Sequence, residues 1–154
     1  MSKNNVKDEN VNRNIEEPKI LEKFIPLRKT SLFEGLVYGI VYEPMVNDAH
    51  GDWTSHEEIQ KMAHAFLPSA LRNGTWANKN HSEELHDVEI VESYIAPCDF
   101  HLNGESIKKG SWILVSKVNS PELKKAIECG EVTGYSLEGV GKKLDVALPK
   151  ESTQ

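Results

Sequence analysis

The stretch TSHEEIQKMAHAFLPSALRNG, residues 54–74, constrains the fold more than any other part of the chain. Ile59, Met62, Ala63, Phe66, Leu67 and Leu71 recur at three- and four-residue steps, one apolar stripe on a 3.6-residue period. Ser55 and Glu58 stand at capping-box spacing, so a helix begins there, and Pro68 is expected to bend or end it before Gly74. Such a helix is marginal by itself and needs a flat apolar surface to lie on.

The neighbouring segments can supply that surface. SLFEGLVYGIVYEP (31–44) is rich in β-branched and aromatic residues, is interrupted by Gly35 and Gly39, and stops at Pro44, which predicts one bent strand or two short ones. VEIVESYI (88–95), closed by Pro97, and SWILVSKV (111–118) read as further strands. SPELKKAIECG has Ser120 as N-cap, Pro121 at the first helical position, Glu122 in the first turn and Gly130 as C-cap, which predicts a second, short helix. VTGYSLEGVGKKL then reads as a strand.

The order β, α, β, β, α, β lacks the regular alternation that a parallel sheet needs. It predicts an α+β fold, a mainly antiparallel β-barrel or curved sheet flanked by two or more helices. The 154 residues suit a single domain over 19–150, with residues 1–18 a polar, mobile tail and 151–154 a short tail. The first twenty residues contain no apolar signal core and no later run has the length of a membrane span, so a soluble protein without signal peptide or membrane partner is expected.

A formal net charge of −6 leaves no broad basic surface, so nucleic acid is not an expected partner. Cys98 and Cys129 stand in unrelated contexts without a CxxC pair, which suggests neither a disulfide framework nor a zinc ribbon and fits a reducing cytoplasm.

Chemistry is most visible in TGYSLEG (133–139), where Ser136 sits on the last strand. A hydrolase nucleophile elbow needs glycine two residues after the serine on a strand-to-helix turn; Glu138 fills that place, and the element continues as strand. Serines on strands are ordinary, and spacing alone favours a structural role. A nucleophilic serine needs a base, and among six histidines the best placed is His81, in a loop rich in Asn and Gly just before a strand. His56, in the first helical turn, and His64, off the apolar stripe, read as surface residues.

Strict alternation along VEIVESYI puts Val88, Ile90, Glu92 and Tyr94 on one face. If that face is the core, Glu92 must be paired or must orient something such as a histidine; if the face is reversed, Glu92 is solvated, and one strand does not decide. NDAHGDW (47–53) holds Asp48, His50 and Asp52, which with His81 would make a metal-dependent hydrolase. It lacks the alternating carboxylates and closing glutamate of a calcium loop, and turn and helix-start chemistry explains it more simply. HEEIQ lacks the second histidine of HExxH, and neither a metal nor another cofactor is expected.

Taken together, VYEPMVNDAHGDWTSHEEIQKMAHAFL, the NKNHS loop, VEIVESYIAPCDF, IKKGSWILVSKV and ELKKAIECGEVTGYSLEG resemble the phage serine protease family of XkdF type, over about residues 35–143. That family is similar to the phage prohead proteases, which share the antiparallel barrel and flanking helices of the herpesvirus maturation protease, assemblin. The resemblance implies a serine endopeptidase of capsid maturation, acting in the cytoplasm of the bacterial host inside the prohead. Phage scaffold and major capsid proteins are the implied substrates, and a homo-oligomer is compatible.

Its catalytic pair would be Ser136 in TGYSLEG and His81 in NKNHS. Herpesvirus proteases use a second histidine after the serine, but this chain has none beyond His101, so either an acid replaces it or a dyad operates. Glu92 is the candidate third member by the strand-face argument, with Asp145 and Glu138 as alternatives. Backbone N–H groups of GVGKK (139–143) could form the oxyanion hole. A catalytically inactive module of the same fold, binding scaffold or capsid protein, is the alternative from a different class.

Overall fold

Residues 17–31, 35–48, 51–73, 78–79, 83–84, 88–102 and 104–141 are described by the computed structural model of the chain, with 21–22, 28–31, 73, 78–79, 83–84 and 135–141 followed as backbone. The elements in chain order are β1 (Lys19–Ser31), β2 (Leu36–Tyr42), α1 (His56–Asn73), β3 (Asn78–Lys79), β4 (Glu83–Glu84), β5 (Val88–Ile95), β6 (Phe100–Leu102), β7 (Glu105–Ile107), β8 (Trp112–Val118), α2 (Pro121–Glu128) and β9 (Gly134–Gly141). Residues 22–137 form one compact unit; 1–21 and 138–154 form another, in which the described residues are 17–21 and 138–141.

β8 is the centre of the fold because nearly every residue in it, from Trp112 to Ser116 and again Val118, is buried. A strand apolar on both sides must be covered on both sides. β5 and β2 flank it, each antiparallel, and β1 pairs antiparallel with β2 through Leu27 opposite Gly39. The sheet order is β5-β8-β2-β1-β9. The fold is therefore α+β with an antiparallel sheet, as expected, and among the described strands the sheet is open rather than closed into a barrel.

Both helices lie on one face of the sheet. Alternation puts Val37 and Val41 on the same side of β2, and Trp112, Leu114 and Val118 on the same side of β8. α1 covers one end of that side with Ile59 and Ala63, against Val41, Trp112 and Leu114; α2 covers the other with Ile127, against Val37 and Val118. The opposite face carries Ile113, Val115, Tyr38 and Ile40, on which the β6–β7 hairpin places Phe100, Leu102 and Ile107.

α1 begins as its spacing predicts: Ser55 Oγ accepts the Glu58 N–H at 3.3 Å. The reciprocal arm of the box is not made, since the Glu58 carboxylate turns to Lys61, while the Ser55 hydroxyl helps hold the Glu57 carboxyl below its usual range after that residue's own N–H. The helix runs through Pro68 to Asn73. Ile59, Ala63 and Ala70 are buried, but Leu71 is 62% exposed. From Ile59, Ala70 returns almost to the same angle after three turns of 3.6 residues, whereas Leu71 stands about 100° further round.

β1 and the two small hairpins, β3–β4 and β6–β7, are additions to the expected element order. KILEKFIPLRKTS hides its strand from a pattern search because charged residues and Pro26 interrupt the apolar positions. Among the described residues no helix is long and apolar enough to cross a membrane.

Candidate active site

The strand bearing Ser136 is aimed by α2. Ser120 caps that helix, its Oγ accepting the Leu123 N–H at 3.2 Å, and Pro121 opens it. Cys129 is the C-cap rather than Gly130; Gly130 follows with φ +78°, a left-handed turn, and the N–H groups of Glu131 and Val132 both donate back to the Ala126 carbonyl. The chain is thereby reversed onto β1, where the Thr133 carbonyl accepts the Leu27 N–H at 2.8 Å.

Gly134 is required by that approach. A β-carbon there would lie 2.5 Å from the Ile25 carbonyl oxygen and run into the ring of Phe24. The first glycine of TGYSLEG thus serves the packing of β9 on β1. From Gly134 to Gly141 the backbone remains strand, so no strand-to-helix turn follows Ser136 and the elbow is absent, in agreement with its local sequence.

His81 lies in sequence between β3 and β4, outside the described residues, as do His50 and Asp145; the side chains of Ser136 and Glu138 lie outside them too. β9 includes Gly139 and Gly141 of the GVGKK segment, while Lys142 and Lys143 are outside the described residues.

Of the two faces that the sequence left open for Glu92, the structure gives the exposed one. β5 carries a bulge: Ile90 pairs with Ser116 but Glu92 pairs with Val115, so Val91 is the extra residue. The bulge reverses the alternation. Val88 and Ile90 face the helices, as do Ser93 and Ile95, whereas Glu92 and Tyr94 share the opposite face with Val115 and Ile113. Glu92 is exposed there, close enough to Tyr94 to contribute, after burial and together with Tyr38, to pushing the Tyr94 hydroxyl up.

Glu92 and Ser136 also stand on opposite edge strands, with β8, β2 and β1 between them.

NDAHGDW closes on itself. The Asp48 carboxylate accepts the Asp52 N–H at 3.0 Å, and the Asp48 N–H donates to the Asp52 carbonyl at 2.8 Å. Both acids thus take part in turn chemistry, and among the described residues no group of three or more metal-ligating side chains gathers. His56 is exposed at the start of α1, against Gly110, and His64 and His101 are exposed.

Two features of β1 were invisible in the sequence because the strand itself was. Lys23 places its ammonium 3.9 Å from the centre of the Tyr42 ring, which stacks on Trp112. Phe24, on the other side of β1, is 59% exposed beside Gly134.

Residues 26–145 match the family described as "Putative phage serine protease XkdF", a span that includes His81, Glu92, Ser136, Glu138 and Asp145. The chain belongs to that family. It is 48% identical over 119 residues to "Uncharacterized protein YqbD" of Bacillus subtilis (strain 168), covering 77% of this chain and 35% of that protein. It is 46% identical over 125 residues to the phage-like element PBSX protein XkdF of the same organism, covering 80% of this chain and 44% of that protein. The chain spans less than half the length of these curated relatives. No solved structure matches it.

Proposed function

We propose that the chain is the catalytic part of a phage serine endopeptidase that cleaves scaffold or capsid protein during head assembly, inside the prohead in the host cytoplasm. Membership in the family described as "Putative phage serine protease XkdF" carries this reading.

Ser136 is the nucleophile and His81 the base. His81 removes the hydroxyl proton as Ser136 Oγ attacks the peptide carbonyl, then gives that proton to the departing amine; water repeats the cycle and frees the acyl group. Developing charge on the carbonyl oxygen needs fixed donors, for which the backbone N–H groups of 139–143 are the candidates. The proposal rests on the serine and histidine alone. Glu92 is not carried into it, because it is exposed on the far edge of the sheet.

The test is incubation of wild type, Ser136→Ala and His81→Ala with scaffold and capsid proteins of the same phage, alongside a fluorophosphonate probe. Cleavage and probe attachment in wild type, lost in both variants, is the expected result. Equal cleavage by wild type and Ser136→Ala would sink the serine mechanism, and loss of cleavage with chelator in both would favour the metal-dependent alternative. Binding of scaffold or capsid protein without cleavage would favour the inactive module.

A further inference from the structure

We draw no further inference here: the strongest candidate, the sheet face on which the exposed Glu92 of β5 stands with the partly exposed Tyr94 and, across β8, Tyr38 of β2, carries nothing because nothing in the structure shows what covers it.

Discussion

The indole N–H of Trp112 donates to Ser93 Oγ at 3.0 Å, tying the centre of the sheet to its edge across the bulge of β5. Ser93 reaches that N–H because the bulge has already reversed the alternation of the strand. Trp112 is 1% exposed, stacked near Tyr42 and met edge-on by Phe66, so its one polar group has to be satisfied inside the protein. Ser93→Ala should leave the indole unpaired and lower stability by about 1–3 kcal/mol. Urea unfolding measures this, and Ser93→Thr, which keeps the hydroxyl, should recover much of the loss.

Gly134→Ala tests the packing of β9 on β1. The Phe24 ring is exposed and can swing away, but the Ile25 carbonyl is backbone, so the strands must separate. A loss of about 1–3 kcal/mol is expected, as for other overpacked sites. Gly130→Ala is the control. Nothing lies within 4 Å of its added carbon, and its φ of +78° alone should cost about 1–2 kcal/mol without disturbing fluorophosphonate attachment.

Glu92→Gln should leave both cleavage and probe attachment unchanged, since Glu92 is exposed on the edge strand opposite that of Ser136. An acid that holds a catalytic imidazole in its correct tautomer costs about 10⁴-fold when made an amide. A loss of that size in Glu92→Gln would return it to the site. Asp145→Asn, tested beside it, is the variant in which such a loss would identify an orienting acid.

Lys23 gives the fold a dependence on alkaline pH. Burial lowers its pKa below the ordinary lysine value of 10.5, with Asp48 opposing the shift. A base whose folded pKa lies below its unfolded one costs stability in full below the folded pKa and nothing above the unfolded one. Lys23→Met should therefore gain most on wild type near neutral pH, and the difference between their unfolding free energies should narrow as pH rises toward 10.5. A difference that stays constant over that range would mean that the ammonium is as well accommodated folded as unfolded.

Much of the architecture was legible one segment at a time. The apolar stripe of α1, the Ser120-Pro121 start of α2 and the β-branched runs of β5 and β8 each carry their own signal, because local sterics and caps act over a few residues. β1 was not legible, since its apolar positions are separated by Lys, Glu and Pro26 and it is held in place by its neighbours β2 and β9. The face of Glu92 was not legible either. A single extra residue at Val91 reverses every position after it, and whether a strand bulges depends on its partner's register.

By itself the sequence determined an α+β chain with two capped helices, a serine on its last strand, and a resemblance to phage proteases that the matched family bears out. The tertiary structure alone decided that both helices share one face, that Glu92 and Ser136 occupy opposite edges, and that Gly134 exists to let β9 lie on β1. The physical reason is that strand order and register are properties of pairs: hydrogen bonding between strands brings together residues far apart in the chain, and no period within one strand records which partner it will meet.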